Sequence, residues 1–346
     1  MTLTKLKIRG LDLGTGVCVS PMVGVTDLPF RRLCREFGAD ITYTEMVAGP
    51  ALAAAKAGKF DVKTLRILKT ERDEFPYAIQ LFGSMPDALA VGAKVAVELG
   101  ANLVDFNMGC PTRRVAGSGS GSGLLREPEL ARRCIGAIRK AAPDVPVTVK
   151  IRAGWDVDHV NGPEICRIAE DEGADAVTVH GRFRSQSYGD APDWNHITNA
   201  IDAVSIPIIG NGGILRADQA VAMARQTGCA GVMLARGVLG NPWLVREVKA
   251  ALEGRAAPPA PTAMEKRDIF FRFWREMSEF RGFQKAIKDI RKHLIWISKG
   301  LRGANDLRRD VALLNSEEAL LSRAGEFSSA PTNTRSAARR RRKPFN

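Results

Sequence analysis

The chain has 346 residues, 45% of them hydrophobic, and a formal charge of +13, enough apolar material for a large core and a length that suggests about two domains. No apolar run approaches the roughly 18 residues of a membrane span, and Met1–Gly10 lacks the apolar centre of a secretory signal, so the sequence predicts a cytoplasmic protein with no membrane partner. Six scattered cysteines with no C-x-x-C pair argue against a disulfide framework or a metal site, and residues 264–346, with 20 Lys/Arg against 10 Asp/Glu, hold +10 of the charge, which points a polyanion such as nucleic acid at that end.

Along the chain, short apolar, β-branched runs recur at Val17–Ser20, Ile41–Thr44, Tyr77–Leu81, Leu103–Phe106, Val147–Ile151, Ala176–Val179, Ile206–Ile209 and Gly231–Leu234. Helix-like segments with start and stop signals lie between them, for example from Pro86 to Gly100 and from Pro128 to Pro143. Strands alternating with helices predict parallel βαβ units, and eight of them predict a closed (β/α)8 TIM barrel in an α/β protein. A doubly wound open sheet is the alternative, disfavoured because no G-x-G-x-x-G follows the first strand. The barrel is expected over residues 1–253. A Pro/Ala-rich linker at 254–262 then leads to a smaller all-helical domain at 263–325 and a basic, disordered tail at 326–346.

In a barrel of this kind active-site groups gather at the carboxyl ends of the strands. Those ends are polar here: Pro21-Met22-Val23, Glu45, Gln80, Asn107, Lys150, His180, Asn211 and Arg236. Gly210-Asn-Gly-Gly-Ile214 follows the seventh predicted strand and Ala235-Arg-Gly237 the eighth, where small residues let backbone N–H groups approach a phosphate and Arg236 supplies charge. Such a rim suits a flat, hydrogen-bonding, phosphorylated cofactor, and flavin mononucleotide (FMN) fits, with Lys150 placed to stabilise negative charge on a reduced ring. A structural ion pair between Lys150 and Glu45 is the plainer alternative for that lysine.

The fourth predicted strand ends at Asn107 and delivers Cys110 into a stretch where Gly and Ser alternate from Gly117 to Gly123. Composition reads this tract as a mobile loop, either a slack linker or a lid that swings the thiol into place. Arg113 and Arg114 follow the thiol closely and suit an anionic partner.

Taken in order, Ser20-Pro-Met-Val-Gly-Val-Thr-Asp27, Asn107-Met-Gly-Cys-Pro111, Gly121-Ser-Gly-Leu-Leu125, Val149-Lys-Ile-Arg152, Thr178-Val-His-Gly-Arg182, Gly210-Asn-Gly212 and Arg291-Lys-His-Leu-Ile-Trp296 strongly resemble the tRNA-dihydrouridine synthase family. The resemblance implies an FMN-dependent barrel with a helical C-terminal domain that uses NADPH, or NADH, to reduce selected uridines in tRNA. By motif, Cys110 matches the family's proton donor. Pro21, Met22, Val23, Gln80, Lys150, Asn211, Gly212, Gly213 and Arg236 match positions at the flavin, where Asn107, His180 and Ala235 are expected to join them. A thiol of ordinary pKa, roughly 8.5, is mostly protonated near neutrality and can donate to C5 while hydride reaches C6. Three positions depart from the pattern: Gly213 where an acid is common, Ala235 where Gly is usual, and Ser118-Gly119 where a bulkier residue often sits.

The resemblance makes the basic helices after the linker the tRNA-binding domain. Lys288, Arg291 and Lys292 there, and Arg113, Arg114, Arg182 and Arg184 at the barrel mouth, are expected RNA contacts that hold phosphates and set register. The chain is expected to act as a monomer without metal. Two other readings stand beside this one: an FMN barrel reducing a free pyrimidine, like a dihydroorotate dehydrogenase, and a non-catalytic RNA-binding protein on the same scaffold.

Overall fold

Eight of the apolar runs pair into one parallel ladder: β1 (Val17–Val19), β2 (Ile41–Tyr43), β3 (Tyr77–Phe82), β4 (Leu103–Met108), β5 (Val147–Arg152), β6 (Ala176–His180), β7 (Ile208–Asn211) and β8 (Gly231–Leu234). The structure, a computed structural model, describes residues 5–56, 58–59, 61–301 and 303–326. Each strand pairs with the next, and β8 closes on β1 through Met233 opposite Cys18, so these eight strands form a closed parallel barrel, to which the short strand Val47–Ala48 adds a ninth beside the end of β3. Helices cover the outside of the barrel, so its strands are buried on both faces, and that is why they read as nearly unbroken apolar runs. β7 starts two residues later than the sequence predicts, because Pro207 has no N–H to give the ladder, although its carbonyl accepts from Val177 at 3.0 Å.

The outer helices follow their start signals. Pro86–Glu98 and Pro128–Ala141 each open on a proline, whose missing N–H costs nothing in a first turn, and each carries an acid near the positive end of the helix dipole. A feature without a sequence signal closes the amino end of the barrel. Lys7–Ile8 and Leu11–Asp12 form a tight antiparallel hairpin, and Leu6, Ile8 and Leu13 pack in one cluster with Cys18, Tyr43, Ala78, Ile209 and Met233 from the barrel strands.

The described residues form two compact units. The first runs up to Val238 and continues through Pro242–Pro258; the second comprises Leu239–Asn241 and the residues from Pro259 onward. Within the second unit Thr262 and Glu265 form a reciprocal capping box at the start of the helix Ala263–Arg281. Gly282 separates that helix from Phe283–Ile297, and shorter helices follow at Ala304–Asp310 and Glu317–Gly325. Phe270, Phe273, Trp274, Ile290, His293 and Leu294 fill this unit's core. Among the described residues no helix is long and apolar enough to cross a membrane. The expected basic tail, apart from Glu326, lies outside the described residues.

Candidate active site

The strand ends meet around a pocket of about 350 Å³. Period-two alternation turns Gln80 of β3, Asn107 of β4, Lys150 of β5, His180 of β6 and Asn211 of β7 toward it, and the register sets Asn107 opposite Lys150 and Asn211 opposite His180. Pro21, Met22 and Val23 line it from the loop after β1, in a turn held by Thr26, whose hydroxyl accepts the Met22 N–H at 3.0 Å. Gly212 and Gly213 line it after β7, and Ala235 and Arg236 after β8. Gly212 has φ +112°, and a Cβ there would lie 3.1 Å from the His180 ring. A Cβ at position 213 would stand 2.8 Å from Pro192 Cγ, so a side chain there would force the loop to shift.

The charges are arranged in depth. Lys150 Nζ donates to Asn211 Oδ1 at 2.9 Å, and Asn211 Nδ2 donates to the Met233 carbonyl at 2.7 Å, which fixes that amide. Burial, helped by the nearby Arg152 and opposed by Asp105, lowers Lys150 to about 8, so it is mostly a cation at neutral pH. Burial and the surrounding positive charges of Lys150, Arg152, Arg182 and Arg236 hold His180 well below the usual imidazole range, so it is neutral. Its Nε2 lies 3.3 Å from an Arg182 nitrogen that can only donate, which places the ring proton on Nδ1. That buried Nδ1 has no partner among the described residues. An unpartnered buried donor, a lysine cation and small residues beside an arginine form the donor set a planar, phosphorylated ring requires.

Cys110 is held from beneath. Asn107 Oδ1 accepts the backbone N–H groups of Gly109 at 3.2 Å and Cys110 at 2.9 Å, an Asx turn that bends the chain off β4. Cys110 is half-buried, with Sγ 3.4 Å from Thr112 Oγ1. The other five cysteines are core residues, and for Cys34, Cys134 and Cys166 burial is the main force pushing the thiol upward. The expectation of a mobile Gly/Ser loop is corrected by the structure. Arg113–Ala116 and Gly121–Arg126 are short helical turns, and Ser120, Ser122, Leu124 and Leu125 are buried. Ser122 donates both its hydroxyl, at 2.7 Å, and its backbone N–H, at 3.2 Å, to the Cys110 carbonyl. Gly121 sits at φ +56°, and a Cβ there would stand 2.9 Å from Val115 Cγ1 and 3.1 Å from Cys110 Cβ. The residues are small because the chain packs closely under the thiol.

The expected mouth arginines divide. Arg113 and Arg114 are exposed on the turn after Cys110. Arg182 is drawn inward, 3% exposed, where its Nε donates to the Asp190 carbonyl at 2.9 Å. Arg184 stacks over Trp155 at 4.5 Å, and Arg126 approaches the same ring at 5.0 Å. Arg236 donates to the Tyr188 carbonyl at 2.9 Å and lies over that ring at 5.1 Å. In the helical unit Lys288 is exposed and Lys292 lies 3.7 Å from Asp289, whereas Arg291 donates to the Leu314 carbonyl at 3.0 Å and to Asn315.

Sequence reasoning passed over three residues of the site. Arg152 donates to the Gly109 carbonyl at 2.9 Å and the Phe183 carbonyl at 2.8 Å, tying the Cys110 turn to the loop after β6. Tyr188 lines the pocket from a loop with no local signature. Asp105 had a signal: a carboxylate two residues before Asn107 falls on the same strand face.

A closed parallel barrel carrying a cationic pocket on its carboxyl rim, with a thiol at the edge, defines a (β/α)8-barrel enzyme of the cofactor-binding kind. The chain belongs to the dihydrouridine synthase family, whose model matches residues 18–330. Curated relatives agree over nearly their whole length. It is 35% identical over 322 residues to a probable tRNA-dihydrouridine synthase of Rickettsia prowazekii, covering 93% of this chain and 97% of the relative. It is 37% identical over 323 residues to tRNA-dihydrouridine synthase B of Xanthomonas campestris, covering 93% and 95%. Among solved structures it resembles morphinone reductase in complex with tetrahydroNAD, with a TM-score of 0.52 and 13% identity over 75% of this chain and 92% of that one. It also resembles 2-naphthoyl-CoA reductase, with a TM-score of 0.57 and 12% identity over 73% of this chain and 52% of that longer one. These two likenesses are of fold.

Proposed function

We propose that this protein is an FMN-dependent tRNA-dihydrouridine synthase that reduces the C5=C6 bond of selected uridines, with NADPH or NADH as the source of electrons. The observation that carries the reading is the single pocket that Cys110 shares with Gln80, Asn107, Lys150, His180, Asn211 and Arg236. Family membership and the tRNA-dihydrouridine synthase names of the curated relatives support it.

When bound and reduced, the flavin supplies hydride to C6 of the uracil. Lys150, held by Asn211, offers a cation to the negative charge of the ring. The Nδ1–H of neutral His180 is a second donor for an acceptor on the cofactor. Arg236 and the backbone around Gly212 and Gly213 would hold the phosphate. Cys110 hands its proton to C5 and recovers one from solvent. Asn107 and Ser122 fix the backbone on either side of that thiol, so the proton travels a set path. The uracil has to leave its stack to reach the pocket, at a cost of a few kcal/mol. Exposed Arg113, Arg114 and Lys288, with Lys292, hold the RNA phosphates. Arg291 serves the helical unit's own packing instead.

The test is purification with bound flavin followed by mapping of dihydrouridine in tRNA from cells lacking the protein. Loss of one or more dihydrouridines, restored by the purified enzyme with NADPH, is expected. Turnover on free uracil or orotate with none on tRNA, or a protein that binds tRNA but takes up no FMN, would overturn the reading.

A further inference from the structure

Asp105 lies in the middle of β4 with 0% of its surface exposed. Its Oδ1 accepts from Thr148 Oγ1 at 2.6 Å and its Oδ2 from Gln80 Nε2 at 2.6 Å. Burial raises this carboxyl to about 6, against the hydrogen bonds of Gln80 and Thr148 and the charge of Lys150, so it is mostly ionised at neutral pH. An ionised carboxylate can only accept, so Gln80 must turn its NH2 group inward. Gln80 Oε1 then accepts from Asn107 Nδ2 at 2.9 Å. That leaves Asn107 Oδ1 for the N–H groups of Cys110 and Gly109. A backbone N–H can only donate, so the far end is fixed as well. Two side-chain amides, each reversible by itself, are locked in one sense between a group that only accepts and groups that only donate.

We propose that Asp105 is a positioning residue that sets the direction of a hydrogen-bond relay running through Gln80 and Asn107 to Cys110, and so fixes both the edge Gln80 offers the cofactor and the seat of the thiol. The inference rests on the reading of this pocket as the flavin and uridine site. It accounts for a charged residue inside the barrel that touches no expected ligand.

Asp105→Asn keeps the shape but withdraws the charge that Gln80 donates to; the backbone N–H groups at the far end still oppose a reversal, so the relay loosens at Gln80 without turning over. FMN titrated into the apo-protein should bind about tenfold more weakly, the size of one hydrogen bond to a charged group. Iodoacetamide should alkylate Cys110 of the folded apo-protein at a rate altered several-fold; the other five thiols are buried, so the label reports this one. In a Gln80→Ala background the same substitution should add little to either loss, because a relay acts as one unit. Asn107→Asp tests the same relay from its pocket end: it removes the donor to Gln80 Oε1 and should reproduce both effects. Unchanged FMN affinity and alkylation in Asp105→Asn and Asn107→Asp, or full additivity with Gln80→Ala, would overturn the proposal. A wild-type protein that binds no FMN would sink the reading of the pocket instead, so the two failures are distinct.

Discussion

Two glycine-rich stretches flank the pocket and look alike in sequence, yet their small residues meet different neighbours. Between Gly117 and Gly123 the chain packs on protein: Gly121 faces Val115 and Cys110, and a Cβ on Gly123 would stand 2.6 Å from the Ala116 carbonyl. After β7, Gly212 and Gly213 line the cavity. The first stretch is small where the chain closes on itself beneath a thiol; in the second a Cβ would meet the His180 ring and Pro192, and the same small residues line the cavity. Both are rich in glycine, and the neighbours across the gap are what tell their uses apart.

The widest test of that contrast removes what the first stretch supports. Cys110→Ala should keep its flavin absorbance but lose about 10²–10⁴-fold in single-turnover dihydrouridine formation, the usual worth of a general acid. Undiminished turnover would strip the first stretch of its purpose. Next come the glycines. Gly121→Ala should destabilise the protein by about 1–3 kcal/mol and depress turnover while leaving FMN affinity intact, read by thermal melts and flavin titration. Gly212→Ala should do the reverse, weakening FMN binding about tenfold or more through its φ of +112° and the His180 ring, with a smaller change in alkylation of Cys110. If both variants lose flavin alike, the two stretches are one site and the distinction fails.

A pH profile probes the ligand-facing side. Lys150 sits at about 8 in the folded protein and loses its proton as pH rises through that value, so its cation is present below pH 8. The turnover of the flavin-loaded enzyme should fall on an alkaline limb that the negative charge of the flavin moves above the value of the free site, and Lys150→Arg should carry that limb further upward. The smallest effect belongs to Ser122→Ala. Losing its hydroxyl bond to the Cys110 carbonyl should cost about 1 kcal/mol in urea unfolding and little in flavin affinity.

The barrel was legible because its physics is repetitive. Strands buried on both faces carry continuous apolar runs, and active groups collect at one end of each. The residues of the rim, from Gln80 to Arg236, followed from that rule and from motif. What escaped lacked a local pattern. The amino-terminal hairpin has strands of two residues, too short for any period. The helices Ala304–Asp310 and Glu317–Gly325 fall within the all-helical stretch expected at 263–325, but they are shorter than the windows in which helical spacing declares itself, so their individual bounds were not marked. Asp105 was absorbed into an apolar run, although its parity with Asn107 marked it. The order of the Gly/Ser tract is a tertiary fact. Gly, Ser and Ala predict slack when nothing is near, and close packing when Val115 and Cys110 are 3 Å away.

The stopper formed by Leu6, Ile8 and Leu13 makes the barrel a blind alley. In the enzyme proposed above, a nicotinamide and a uracil would both come to the flavin from the rim and compete for it, so an excess of either is expected to slow turnover.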